Sequence, residues 1–144
     1  MIVTADTSFL VSLYAGDVNS PAARSWMATH ATAVILTPPL RFETENALRL
    51  ACFRRKITPG ELHHALSDIA SDLAAGILTQ REIPAPRLWR ECQKISAAQT
   101  LVLGARAFDI IHVAAARLVK ADTFLSFDKR QIALANALGL TVAP

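Results

Sequence analysis

Five short apolar runs are spaced along the chain, at residues 2–5, 33–37, 77–83, 123–127 and 140–143. Each is brief, rich in β-branched residues and bounded by turn residues, a pattern that predicts strands. Apart from 77–83, the runs are continuous and largely apolar rather than alternating, as expected when a strand is covered on both faces. Residues 77–83 carry a polar middle, which weakens that segment. Between the runs, apolar residues recur at helical intervals and predict helices over 9–15, 20–30, 38–56, 59–75, 86–99, 106–119 and 129–138. The starts are marked by Thr7 and Ser8 as N-cap candidates, by Ser20-Pro21, by Pro38-Pro39, and by Thr58-Pro59-Gly60-Glu61, where Glu61 is placed to close a capping box. Gly16, Gly76, Gly104 and Gly139 mark ends or breaks.

Strands alternating with helices predict an α/β fold with a parallel sheet flanked by helices, an α/β/α sandwich formed as one domain over residues 1–144. Ligands of such folds bind outside the carboxyl ends of the strands. Asp6 and Asp128 both fall at such ends. The segment Arg106 to Val119 predicts a helix that is apolar almost all round, hence buried on most sides. It nevertheless carries Asp109. A carboxylate in a dry site costs several kcal/mol unless a cation compensates it. Arg106, Arg117 or a metal ion can supply that cation.

Composition narrows the classes. Hydrophobic residues make up 52% of 144, too many for a disordered chain, and the net charge of +3 permits a polyanionic partner without requiring one. No apolar run approaches the ~20 residues of a membrane span, and the N-terminus lacks the basic and apolar regions of a secretory signal. Cys52 and Cys92 lack metal-type spacing and are expected as packed, free thiols of a reducing cytoplasm.

Four carboxylates stand out. Asp6 follows the first strand directly; with Thr7 and Ser8 available to cap the next helix, it is free for chemistry. Glu43 shares a helical stripe with Leu40, Ala47 and Leu50, an unusual place for a carboxylate. Asn46, three residues on, is placed to orient it. Asp109 shares its face with His112, which is expected to be a packed histidine holding Asp109 or a backbone group. Asp128 ends the run Phe124-Leu125-Ser126-Phe127-Asp128, where it can also cap the last helix, and Ser126 can reach the same cleft. Four carboxylates converging in one cleft repel one another unless a cation sits among them. Mg²⁺ or Mn²⁺, hard ions that take oxygen ligands, fit such a set, and carboxylate-bound ions of this kind serve nucleases and phosphatases.

The order of these segments is familiar: Asp6 after strand one, Glu-x-x-Asn-x-Leu from Glu43 to Leu48, Asp-Ile-Ile-His-Val-Ala-Ala-Ala from Asp109 to Ala116, and Phe-Leu-Ser-Phe-Asp from Phe124 to Asp128. Together they resemble the PIN domain, in particular the VapC toxins of toxin–antitoxin pairs, over nearly the whole chain. The resemblance implies an endoribonuclease dependent on Mg²⁺ or Mn²⁺, with Asp6, Glu43 and Asp109 as the central acids, Asp128 as a more variable fourth, and Ser126 in the place of a usual Thr or Ser. It also implies a homodimer and a cognate antitoxin that covers the cleft. On this reading Asp6 and Asp109 bind the metal, Glu43 and Asp128 complete its shell or orient the attacking water, and Arg41, Arg54, Arg55, Lys56 and Arg106 are candidates for holding the RNA backbone. The segment from Arg54 to Gly76 varies among relatives, so substrate choice does not carry over.

Two other classes compete. A receiver-like or other Mg²⁺-dependent phosphoryl-transfer domain also gathers acids at strand ends, but would want paired acids after strand one, and Asp6 has no acidic neighbour. A non-catalytic binding module would keep the fold without needing the four acids.

Overall fold

Val3, Thr4 and Ala5 form the middle strand of a five-stranded sheet, and everything else is arranged from it. The computed structural model describes all 144 residues. Strands β1 (Val3–Ala5), β2 (Val34–Leu36), β3 (Leu78–Gln80), β4 (Thr123–Leu125) and β5 (Thr141–Ala143) lie in the order β3-β2-β1-β4-β5. All four pairings are parallel. Helix α1 (Thr7–Val11) runs on into a π-helical turn (Ser12–Gly16). It is followed by α2 (Ser20–His30), α3 (Pro38–Phe53), α4 (Pro59–Ala74), α5 (Ala85–Leu103), α6 (Ala107–Leu118) and α7 (Lys129–Ala137). The predicted α/β sandwich is what forms.

Register assigns the faces. Ala5 lies opposite Leu125, which lies opposite Ala143, while Thr4 lies opposite Phe124 and Phe124 opposite Val142. Residues opposite one another share a face, and the face alternates along each strand. Val3, Ala5, Val34, Leu36, Leu78 and Leu125 therefore build one core with Phe9, Leu10, Trp26, Leu40, Leu48 and Ile69 from α1 to α4. Phe124 builds a second core on the opposite face with Leu88, Ile95, Ile110, Val113 and Leu134 from α5 to α7. The split follows from chain direction. From β1 the chain steps to β2 and then β3, and later from β4 to β5 the other way. Right-handed crossovers place the two sets of helices on opposite faces.

Several element bounds differ from the sequence expectation; α3 ends at Phe53 rather than at residue 56, and β2 and β4 are shorter than 33–37 and 123–127. The first helix starts at Thr7 because Asp6 itself caps it, its carboxylate accepting from Phe9 N. The segment 77–83 contributes only Leu78–Gln80, an edge strand with Leu78 buried and Thr79 and Gln80 exposed. Helix α5 runs four residues past Gln99 and ends where Gly104 takes a left-handed φ of 63°. The Thr58–Glu61 capping box forms as its spacing requires. No helix is long and apolar enough to cross a membrane.

Candidate active site

After β1 the chain turns toward β2, and after β4 it turns the other way toward β5. The carboxyl ends of these adjacent strands form a crevice that no crossover covers. Asp6 and Asp128 stand on its two sides. Both are helix N-caps. Asp6 caps α1, and Asp128 caps α7 by accepting from Arg130 N at 2.7 Å and Gln131 N at 3.2 Å.

Asp6 is buried and held by hydroxyls. Its Oδ1 accepts from Ser8 Oγ at 2.6 Å and from Phe9 N at 3.1 Å, and its Oδ2 accepts from Ser126 Oγ at 2.7 Å. Burial is the largest influence on this carboxyl. It outweighs the three hydrogen bonds and the charge of His112, and holds the group above the ordinary carboxylate range. No ion pair reaches it. The same hydroxyls join the two turns: Ser8 Oγ accepts from Phe127 N and Ser126 Oγ from Asp128 N.

Glu43 lies in the second turn of α3, half-buried beside the stripe Leu40–Thr44–Leu48 that α3 turns to the core. Thr7 Oγ1 and His112 Nε2 both donate to its Oε2, each at 2.5 Å. Burial pushes this carboxyl upward, but the two hydrogen bonds and the charges of His112 and Arg106 together bring it below the ordinary range. Asp109, in the first turn of α6, is buried. Its Oδ2 accepts from Arg106 N at 2.9 Å and from Arg106 Nε at 3.4 Å, with the Arg130 guanidinium 3.9 Å away. Its Oδ1 faces Gln131 Nε2 at 3.5 Å. The Arg106 guanidinium extends onward to Asp128 at 3.7 Å. Asp6, Glu43, Asp109 and Asp128 all line one cleft of about 250 Å³, together with Thr7, Ser8, Val11, Arg106 and Gln131.

A family model for the PIN domain matches residues 3–137. The chain is a PIN domain. Three solved structures share the fold of this PIN domain. VapC20 of Mycobacterium tuberculosis, described as a sarcin-ricin loop cleaving toxin, is 18% identical, with 96% of each chain covered and a TM-score of 0.71. PAE2754 of Pyrobaculum aerophilum is 15% identical over 99% of this chain and 89% of its own, with a TM-score of 0.65. FitAcB of Neisseria gonorrhoeae is 14% identical over 99% and 97%, with a TM-score of 0.61. No curated protein sequence matches this PIN domain significantly.

The four acids singled out in the sequence meet in the cleft of the PIN domain. Other expectations are redirected. Asn46 is exposed and makes no hydrogen bond to Glu43, because Glu43 turns away from it toward α1 and α6. Ser126 is fully buried behind Asp6 and does not line the cleft. His112 holds Glu43 rather than Asp109. Asp109 is compensated by Arg106 and, at longer range, Arg130; Arg117 pairs instead with Glu91. Gln131, Arg130, Thr7 and Ser8 escaped the sequence reading as site residues. For Arg130 and Gln131 the available signal was their place just after a capping aspartate, whose carboxylate accepts from their backbone. No three His, Cys, Asp or Glu side chains of this PIN domain stand close enough together to form a ready metal site. The donor set fits a hard divalent cation all the same: every candidate ligand is a carboxylate oxygen, and buried Asp6 lies in the cleft without an ion pair.

Proposed function

We propose that this PIN domain is a Mg²⁺- or Mn²⁺-dependent endoribonuclease that acts as the toxin of a toxin–antitoxin pair. The observation that carries the reading is the convergence of four carboxylates on one cleft at the sheet's switch point, one of them, Asp6, buried and in no ion pair. The likeness to VapC20, described as a loop-cleaving toxin, supports RNA as the substrate.

Asp6 and Asp109 would hold the cation. When bound, it supplies Lewis acidity and lowers the pKa of a coordinated water. Glu43, kept ionised by Thr7 and His112, takes the proton of the water that attacks phosphorus. The new P–O bond forms as the bond to the leaving ribose oxygen breaks, and that oxygen takes up a proton. Arg106, already spanning Asp109 and Asp128, is placed to meet phosphate charge. Asp128 completes the acidic wall and orients water. The reading extends to a homodimer, a cognate antitoxin covering the cleft and a reducing cytoplasm, to which the free Cys52 and Cys92 are suited.

The test is incubation of a mixed tRNA and rRNA pool with purified, partner-free protein in Mn²⁺, in EDTA, and with Asp6→Asn. Cleavage in Mn²⁺ alone, lost in the variant, is expected. Cleavage that persists in EDTA or in Asp6→Asn overturns the assignment. Saturating Mn²⁺ is further expected to stabilise the fold by about 2.7 kcal/mol at a hundredfold excess over its Kd, and Asp109→Asn to lose most of that gain.

A further inference from the structure

Phe42 and Phe108 each precede a cleft carboxylate in sequence, Glu43 and Asp109, and their rings meet with centroids 6.3 Å apart and planes at 36°. The Phe108 ring also lies 5.8 Å from the ring of His112, which holds Glu43. Phe42 is nonetheless 64% exposed. Burying such a ring is favourable, yet apart from Phe108 the fold leaves it uncovered. The feature continues along α3. Arg49 and Phe53 follow Phe42 by seven and eleven residues, close to two and three helical turns, so all three share one face over about 16 Å. Phe53 is 83% exposed. The helix then gives way to Arg54, Arg55 and Lys56, all exposed and none in an ion pair.

We propose that this face of α3, with Phe108, is the track along which single-stranded RNA enters the cleft. One unpaired base stacks on Phe42 beside Phe108, a second stacks on Phe53, and the cations at the end of α3 take backbone phosphates. The identity of the strand as RNA rests on the nuclease reading above. The chemistry of the face selects its occupant. Stacking needs a base whose ring is free, which a single strand offers and a duplex hides. A protein partner would favour a patch whose centre is poor in charge. Here Arg49, paired with Glu45 at 3.3 Å, lies between the two phenylalanines, and the unpaired cations Arg54, Arg55 and Lys56 close the stripe, an end complementary to a polyanion. The stripe also leads to Glu43 and Asp109, where a scissile phosphate would sit.

The test is binding without cleavage, by fluorescence anisotropy of the full chain in EDTA. The probes are a mixed-sequence single-stranded RNA, the same RNA annealed to its complement, and an abasic strand of equal length. The single strand is expected to bind tightest. Phe42→Ala and Phe53→Ala are each expected to weaken it roughly 5- to 100-fold, the loss of one stacked base, while Phe42→Trp retains affinity. Replacing Arg54, Arg55 and Lys56 together with Gln is expected to flatten the salt dependence, changing the slope of log K against log salt by about 2. Equal binding of duplex or abasic strand, no binding of the single strand, or full affinity in Phe42→Ala overturns the track. So does a change of sedimenting mass in Phe42→Ala or Phe53→Ala with RNA affinity intact, which would mark a protein interface. Base-dependent binding without Mn²⁺-dependent cleavage removes the nuclease and leaves the track; cleavage unchanged by both alanine variants removes the track and leaves the nuclease.

Discussion

Asp6 has two duties that pull against each other. Its carboxylate caps α1 and so needs an acceptor oxygen, while its burial disfavours charge. A carboxyl held above its ordinary range adds stability that is complete below the unfolded-state pKa and is lost as pH rises through the folded-state value. Once ionised without a cation, Asp6 is therefore a net cost. Asp6→Asn keeps an acceptor for Phe9 N and removes the charge. In EDTA at neutral pH it is expected to be more stable by on the order of 1 kcal/mol, about 2–4 °C in Tm. Calorimetry should show the gap closing as pH falls into the carboxylate range. A destabilised variant would mean that the hydroxyl bonds to Asp6 dominate. The same residue shows how far local spacing reaches. Thr7 and Ser8 are ordinary cap candidates by sequence, but they act over 36 and 119 residues, on Glu43 and on Phe127 N. Asn46 shares a face with Glu43 by helical spacing, yet spacing does not say toward which neighbour a flexible carboxylate turns.

Helix α7 is short and begins on Asp128 alone, so cap and site coincide in one side chain. Asp128→Ala is expected to cost about 0.5–2 kcal/mol in denaturant unfolding and to impair the proposed cleavage, whereas Asp128→Ser is expected to keep the cap and lose the same proposed activity. Equal activity in the Ser variant would remove Asp128 from the chemistry. The π-helical turn after α1 has its own anchor. Tyr14, the chain's one tyrosine, donates to Asp72 of α4 at 2.6 Å. Burial, then the bond to Asp72 and its charge, push this phenol far above its ordinary value. Its stabilisation is complete below a pH of about 10 and is lost as pH rises beyond. Phenolate absorbance and loss of helix signal are thus expected to rise together in an alkaline titration. Tyr14→Phe, which has no phenolate to follow, should shift the midpoint of helix loss upward and cost about 1 kcal/mol at neutral pH. Helices were legible wherever caps and periodicity agreed, as at Thr58–Glu61. The end of α5 was not, because Leu101 and Val102 are 98% and 76% exposed and leave no burial pattern to follow.

At the scale of the whole molecule the sheet does the positioning. Five strands of three residues give little sequence signal singly, but their alternation with helices was enough to specify a parallel sheet. What the alternation could not specify was strand order, and strand order creates the crevice. Both edge strands, β3 and β5, are partly exposed, so polar Thr79 and Gln80 blurred the boundary of β3. The cleft acids divide between the cores: Asp6 and Glu43 come from the β1–β2–β3 side, Asp109 and Asp128 from the side of α6 and β4. The pairing of β1 with β4 and the hydroxyl bonds across that seam join the halves. The connection between β3 and α5 therefore behaves as a natural point of division. A chain opened there would leave each fragment with its own hydrophobic face and half of the acids. On the proposed nuclease reading, fragment complementation is the expected consequence: neither piece cleaves RNA alone, and co-expression restores cleavage through the β1–β4 seam. Such a protein can be carried as two inactive halves in two genes and assembled only where both are made.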